Sequence, residues 1–530
     1  MSGSIQPVRS TVLADIVRHH AEIRPNKVAF IFEDRELLYG ALNKRASQVA
    51  NGLLHLGVNP SERIAFLGKN SPDYFEILMG VSKSGAVMAP VNWRLAPAEI
   101  EYILNDMQAQ IIFVDEEFHP LVAQLRATLP MLKYVFMLSA DPDVADNYVK
   151  WRDAQNAHDV QIARNFEDDA LHLYTSGTTG HPKGAVLSNR AVISLREVIP
   201  ASAKPEWNVW REEDVSLVAM PCFHIGGTGW GLNGLTEGST GIVMREFDPY
   251  QVLDLIQKFK ISKIFMVPAA MKIVVDLPDA RSTDFSSIKY MLYGASPIPL
   301  DLLKRCIDVF QCQFVQMYRM TATAGPIIAL HPGDNDPDGN EKMLSAGQVL
   351  AGAEVAILDE LGCPVPAETV GEIAIRSVSN MTGYWRRPEE TAKTIDEDGW
   401  LRTGDAGCMD KDGYVFIRDR VKDMIISGGE NIYPAEVENA IFGHPKVSDV
   451  AVIGVPDKKW GEAVKAIVVP NAGETIEASE IIDWARQRIA GYKCPKSVDL
   501  VSTLPRNASG KILKKVLRAP FWENAERSIN

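Results

Sequence analysis

Leu173-Tyr174-Thr175-Ser176-Gly177-Thr178-Thr179-Gly180-His181-Pro182-Lys183-Gly184 is the stretch from which the rest of the chain is read. It gathers hydroxyls, glycines and one lysine into a single turn. Ala170, Leu171 and Leu173 lead in, and Ala185, Val186 and Leu187 follow. Apolar runs on both sides of a Gly-rich turn predict a loop between two strands of a buried sheet. Backbone N–H groups and hydroxyls in such a loop can wrap phosphate oxygens, and Lys183 can neutralise their charge. The Walker A pattern is excluded, because it needs Gly, four residues and then Gly-Lys-Ser/Thr. Here Pro182 precedes Lys183, and the lysine precedes its glycine. Two readings stay open at this point: a phosphate loop of another kind, or a polar surface turn.

Upstream, helical and extended patterns alternate. Thr11 to Ile23, Tyr39 to Leu56 and Pro72 to Ser84 read as helices, and a further helix starts at Pro97. Val28 to Phe32, Arg63 to Leu67, Ala86 to Pro90 and Ile111 to Val114 read as strands. Strands separated by helices predict parallel βαβ units. Residues 140–168 read as a linker with a peripheral helix.

Downstream, the strand Val215 to Met220 runs into Pro221-Cys222-Phe223-His224 and then Gly226, Gly227, Gly229 and Gly231 around Trp230. This predicts a pocket wall, with glycines leaving space for an organic chain. A strand from Ser287 ends in Tyr293-Gly294-Ala295-Ser296, where small residues let a flat ligand lie on backbone. Ser296 also reads as a helix N-cap. The strand Phe314 to Tyr318 leads into Arg319-Met320-Thr321-Ala322-Thr323. Beyond residue 340 short strands and tight turns predict a β-rich subdomain, with Asp405 placed in a turn after Thr403-Gly404. Arg418 to Asp423 reads as the boundary to a smaller unit, giving expected domains of 1–420 and 421–530. Its last motif is Pro505-Arg506-Asn507-Ala508-Ser509-Gly510-Lys511, in which Lys511 reads either as a swinging cation or as part of a solvated basic tail.

The 530 residues carry a formal net charge of −13, which argues against a nucleic-acid-binding surface. Hydrophobic content of 46% and charged content of 23% are those of an ordinary globular protein. Six scattered cysteines without a Cys-x-x-Cys motif predict reduced thiols in a cytoplasmic protein and no zinc cluster. No run of about 18 apolar residues predicts a membrane span.

Taken together in order, Tyr174 to Gly184, Tyr293 to Ser296, Thr403 to Asp405, Arg418 to Asp423, Gly428-Gly-Glu-Asn-Ile-Tyr-Pro-Ala-Glu-Val-Glu438 and Pro505 to Lys511 resemble the acyl-adenylate-forming superfamily, acyl-CoA synthetases in particular. The resemblance runs from about residue 10 to 518. It implies an α/β fold: a large N-terminal domain of βαβ subdomains with a β-rich subdomain, and a small mobile α+β C-terminal domain. It further implies a ligase that uses ATP, Mg2+ and coenzyme A on a small-molecule carboxylic acid, expected to be aliphatic and of short to medium or long chain, with an aryl acid and a homodimer left open.

By the same resemblance, Thr175, Ser176, Gly177, Thr178, Thr179, Gly180 and Lys183 hold the β- and γ-phosphates, and Thr175 is a candidate metal ligand. Gly294, Ala295 and Ser296 face Tyr318 across the adenine. Thr321 meets the α-phosphate, and Asp405 and Arg420 hold the ribose. Lys422 is the hinge, Lys511 serves adenylation, His224 lines the acyl entrance, and Gly428 and Gly429 line the thiol channel. Loading of a carrier protein, or nucleotide binding with weakened turnover, are the alternatives. The motif departs from the family at one place: the usual metal-binding Glu is Ala322, and the usual Gly is Arg319. The loss of that carboxylate implies weaker Mg2+ placement and slower adenylation.

Overall fold

The structure, a computed structural model, describes residues 10–175, 182–197, 199, 201–420, 423–428, 430–507 and 511–522. Strands buried on both faces explain the continuous apolar runs of the N-terminal half. In Arg63–Leu67, Ile64 and Phe66 enter one core while Ala65 and Leu67 enter another on the opposite face. Ile111 and Phe113 against Ile112 and Val114 repeat the pattern one strand over.

That strand sits in a seven-stranded sheet. Its order is Gly383–Tyr384, Lys183–Ser188, Asp169–Thr175, Val87–Val91, Arg63–Leu67, Ile111–Asp115 and Tyr134–Leu138. The helix Pro72–Ser84 feeds it with a stop signal at each end. Ser71 accepts from the Tyr74 N–H at its start, and Gly85 closes it at φ 77°. The predicted pair of strands around residues 176–181 is antiparallel, with Thr175 opposite Lys183 and Tyr174 opposite Gly184.

A nine-stranded sheet follows the order Gln348–Val349, Pro326–Leu330, Gln313–Arg319, Tyr290–Gly294, Lys263–Met266, Val215–Val218, Thr240–Val243, Val28–Phe32 and Arg35–Leu38. The early strand at 28–32 pairs antiparallel with Arg35–Leu38 and in parallel with Thr240–Val243, in a different sheet from the strands at 63–67 and 111–115. Helices between the two sheets close one continuous core.

The β-rich segment is a four-stranded antiparallel sheet of Ala353–Leu358, Gly371–Ser377, Leu401–Met409 and Val415–Arg420. Residues 425–500 build a separate sheet and their own core, in which Ile425, Val437, Ile441, Val452, Val464 and Ile481 are buried. Lys514 reaches back to Asp419 at 3.1 Å and to Glu438 at 2.9 Å, tying this unit to the last N-terminal strand. Residues 421 and 422, at the expected boundary, lie outside the described residues.

Two local expectations are corrected. Ser296 caps no helix: the next one is Leu300–Phe310, with Pro299 at its N-cap, because three non-helical residues intervene. Asp405 lies within the strand Leu401–Met409 rather than in a turn. Gly404 at φ 72° gives the sequence its turn-like look, while the ladder continues past a register shift.

Candidate active site

Four parallel strands of the nine-stranded sheet end at one edge: Val215–Val218, Lys263–Met266, Tyr290–Gly294 and Gln313–Arg319. The loops after three of them carry His224, Ala295-Ser296 and Thr321. Ligands of open α/β sheets sit at such an edge. Gly294 lies beside Met317 in the ladder, and a Cβ there would stand 2.1 Å from the Met317 carbonyl oxygen. Only glycine fits that approach. Ala295 follows at φ 71°, a left-handed backbone that swings the chain away from the sheet.

Tyr318, one residue from the end of its strand, donates its hydroxyl to Asp405 Oδ2 at 2.6 Å. Asp405 is 9% exposed. Its backbone N–H donates to Thr403 Oγ1, and Thr403 in turn donates to the Ile373 carbonyl. In the ladder Asp405 stands opposite Arg420, whose side chain lies outside the described residues. A tyrosine ring and a fixed carboxylate, 87 positions apart, thus meet at the sheet edge.

Thr321 opens a single 3-10 turn ending at Thr323. Thr323 Oγ1 accepts from the Met320 N–H at 3.0 Å, and Ala324 exits at φ 51°. Ala322 is 6% exposed, and its carbonyl accepts from the Met381 N–H at 2.7 Å. No carboxylate stands at this position, as the sequence indicated. Among the described residues no three His, Cys, Asp or Glu side chains cluster in a way that could hold a metal. The donor set that remains, the hydroxyls of Thr175 and Thr321, fits an Mg2+ ion held mostly by phosphate oxygens and water.

Ser176 to Gly180 lie outside the described residues, but both ends of their loop are fixed. Tyr174 donates to Asp106 Oδ2 at 2.7 Å, and Thr175 Oγ1 donates to the Lys183 carbonyl at 3.3 Å. Lys183 forms an ion pair with Glu390 on the helix Pro388–Thr394, and its amino group stands 5.4 Å from the centre of the Tyr384 ring. Behind the loop His172 is fully buried, and among the described residues neither ring nitrogen has a hydrogen-bond partner. Burial drives its pKa down to about 3.

His224 precedes the helix Ile225–Glu237. Desolvation lowers its pKa to about 4, helped by the charges of Lys511, Arg94 and Arg319. The ring is therefore neutral at physiological pH. Lys511, on the C-terminal loop, is thus one of three cations whose charge is felt at His224. That loop is held by reciprocal contacts: Asn507 Oδ1 accepts from the Lys511 N–H at 2.9 Å, and the Lys511 carbonyl accepts from the Asn507 N–H at 2.8 Å. Gly428 sits exposed at the end of the Ile425–Ser427 strand at φ 62°, its N–H bonded to the Trp460 carbonyl. Lys422 and Gly429 lie outside the described residues.

The glycines after His224 divide into two sets, which corrects the expectation of open space. Cβ atoms on Gly227 and Gly231 would strike the Pro221 carbonyl and the Phe75 ring, so these glycines serve helix packing. Gly226 and Gly229 instead face guanidinium groups. A Cβ on Gly226 would stand 2.8 Å from Arg319 Nη2, and one on Gly229 would stand 3.2 Å from Arg196 Nη2. Arg319, Arg196, Lys204 and Glu237 line one cavity with Trp210 and Trp230.

Sequence reasoning gave no role to Glu390, Arg94 or Arg196. The only signal for Glu390 is its place just after Pro388, in the first turn of a helix. Arg94 stands beside Trp93, over which its guanidinium stacks at 4.6 Å.

A tyrosine–carboxylate pair, Thr321 and His224 therefore stand at one edge of a parallel sheet, in a chain of the adenylate-forming class. The chain belongs to the AMP-binding enzyme family: residues 17–385 match the family itself, and residues 436–511 match its C-terminal domain. It is similar to the fatty acid–[acyl-carrier-protein] ligase ScoC of Streptomyces coeruleorubidus, with 37% identity over 523 residues and 98% of both chains covered. It is 39% identical over 507 residues to a feruloyl-CoA synthase of an Amycolatopsis species, covering 94% of this chain and 97% of that one. Among solved structures, the anthranilate CoA ligase AuaEII in complex with anthranoyl-AMP superposes with a TM-score of 0.88 at 28% identity, over 98% of this chain and 99% of that one. Adenylate-forming CoA ligases use ATP, Mg2+ and CoA. Among the described residues no helix is long and apolar enough to cross a membrane.

Proposed function

We propose that this chain is an ATP-dependent acid–thiol ligase of the cytoplasm that converts a carboxylic acid to its acyl-CoA through an acyl-adenylate. The observation that carries this reading is the Tyr318–Asp405 pair at the edge that also holds Thr321, Ser296 and His224, where the Lys511 charge is felt. A carboxylate oxygen attacks the α-phosphorus of ATP, and pyrophosphate leaves. Both reactants are anionic, so positioned cations and hydroxyls carry most of the rate.

In this reading Thr175 to Gly180 and Lys183 cradle the β- and γ-phosphates, and Lys183 exchanges Glu390 for them. Mg2+ on the triphosphate supplies charge neutralisation, with Thr175 as its protein hydroxyl. Gly294, Ala295 and Ser296 face Tyr318 across the adenine, Asp405 and Arg420 hold the ribose, and Thr321 meets the α-phosphate. Lys511 bridges the carboxylate and the α-phosphate.

The smaller unit, residues 421–530, then turns about Lys422. Lys511 withdraws, and Gly428 and Gly429 line the path of the thiol past His224. The thiol sulfur attacks the acyl carbonyl, and AMP departs. A neutral His224 leaves this entrance without an added positive charge. A hinge lets one cleft serve the two steps in turn.

The similarity to ScoC supports a second reading of the last step, in which the acceptor thiol belongs to a carrier protein. The test is acid-dependent ATP–pyrophosphate exchange, followed by acyl transfer to CoA and to a pantetheinylated carrier protein in parallel. Exchange with an acid and transfer to CoA are expected. Transfer to the carrier alone favours the second reading, and ATP binding without pyrophosphate exchange for any acid overturns both.

A further inference from the structure

Arg319 occupies a position where a small residue would leave room for substrate, and its surroundings are unusual for a charge. Its side chain leaves the sheet edge beside Tyr318 and is only partly exposed, to the cavity it lines. The guanidinium carbon stands 4.1 Å from the centre of the Phe265 ring. Among the described residues no carboxylate, carbonyl or hydroxyl accepts a hydrogen bond from it. A planar group with five N–H donors, held on an aromatic face and left without an acceptor, is a strained arrangement for a structural arginine.

Arg196 enters the same cavity from the helix Asn189–Glu197 and donates to the Val192 and Gly229 carbonyls. Gly226 and Gly229 are the positions that make room for these two guanidiniums. Lys204 lines the cavity too, and the one carboxyl there, Glu237, feels Lys204 as its strongest charged neighbour. Trp210, Trp230, Leu292 and Met317 supply apolar wall.

We propose that Arg319, with Arg196 beside it, forms an anion subsite in the acid pocket, and that the preferred substrate carries a second carboxylate or similar anionic group at its distal end. The inference rests on the acid-activating reading above and names the class of acid. Burial and the Arg196 charge bring the Arg319 pKa down to about 10, so the group is still protonated at neutral pH. A forked guanidinium matches a carboxylate in two parallel hydrogen bonds, and the low-dielectric wall strengthens them. A plain alkyl chain entering the same space would bury the charge further and give it no partner.

The experiment compares pentanoate and hexanoate with pentanedioate and hexanedioate in ATP–pyrophosphate exchange, using the full chain and its Arg319→Gly and Arg319→Lys variants. For the parent chain, kcat/KM for each dioate is expected to exceed that of the matched monoacid by about tenfold or more. Arg319→Gly is expected to reverse the preference while hexanoate exchange holds or rises, which also shows that the variant folds. Arg319→Lys is expected to keep part of the preference. Equal or better use of the monoacids by the parent chain overturns the subsite but leaves the ligase reading standing. So does an Arg319→Gly variant that loses exchange with every acid alike, which would place Arg319 at the reacting carboxylate. If the parent chain exchanges with no acid, the ligase reading fails. Calorimetry with hexanedioate and hexanoate then decides the subsite, which requires binding of the dioate that Arg319→Gly abolishes; no such binding overturns it.

Discussion

Replacing Gly184 by alanine tests how the phosphate-side loop is anchored. The new Cβ would stand 1.8 Å from His172 Nε2 and 2.7 Å from its Cδ2. An ordinary contact needs about 3.5 Å, so ring or strand must move by roughly 1.7 Å. The ring has little freedom. It is fully buried, lies 4.7 Å from Tyr174 and 5.8 Å from Trp385 between ring centres, and Trp385 is itself covered by Arg63 at 3.5 Å. The strand is held as well, because the Gly184 carbonyl accepts from the Trp385 N–H at 2.8 Å. Overpacking of a fixed core site costs about 1–3 kcal/mol, and this site belongs at the upper end.

His172→Ala alone opens a cavity and costs about 2–4 kcal/mol. In the double variant the alanine at 184 fills part of that cavity, so the loss should be no greater than for His172→Ala alone. The two sites are therefore coupled by about 2–3 kcal/mol. Urea titrations followed by tryptophan fluorescence on the four proteins measure the cycle. A Gly184→Ala loss under about 0.5 kcal/mol, or additivity within that margin, refutes the reasoning.

Acid should weaken the fold through its buried histidines. Burial brings His20 down to about 4 and His172 down to about 3, against 6.5 when unfolded. Below pH 6.5 the unfolded chain binds the extra protons, so stability is full above 6.5 and falls as pH drops toward 4 for His20 and 3 for His172. Each histidine contributes about 1.4 kcal/mol per pH unit, and with His224, also brought down to about 4, the combined loss is roughly 6 kcal/mol between pH 7.5 and 5, to be read from urea midpoints. A flat midpoint across that range contradicts it. Glu390→Gln should free Lys183 for the triphosphate. Because both side chains are partly exposed, the pair is worth about 1 kcal/mol at most, and the KM for MgATP should fall about two- to fivefold in exchange kinetics. An unchanged or higher KM would mean that Glu390 does not compete with the phosphates.

The parts legible in the sequence were those with strong periodicity and local punctuation. Pro72–Ser84 carries Ser71 and Gly85 at its ends, and Pro434–Phe442 has Pro434 at its first position. Both follow from caps alone. Strands buried on two faces read as unbroken apolar runs. The strands Arg35–Leu38, Tyr134–Leu138 and Ser497–Leu500 escaped notice, because each is short, partly exposed and without alternation.

At the site, the resemblance pointed to Tyr318, Asp405 and Lys511 separately. The hydrogen bond from Tyr318 to Asp405 depends on how two sheets abut, which no local pattern encodes. The same holds for Lys183 and Glu390. The glycines after His224 misled for a related reason. Spacing shows that room exists, but not whether solvent, substrate or an arginine from a strand about 90 residues away fills it.

In the proposed cycle Lys511 serves adenylation and not thiol transfer. Lys511→Ala, assayed for ATP–pyrophosphate exchange and separately for CoA-dependent breakdown of a synthetic acyl-adenylate, tests it most directly. Exchange is expected to fall by about a hundredfold or more, as for loss of a cation aimed at developing charge, with the thiol step within a few-fold of the parent chain. Equal losses in both half-reactions, or exchange that survives intact, would contradict it.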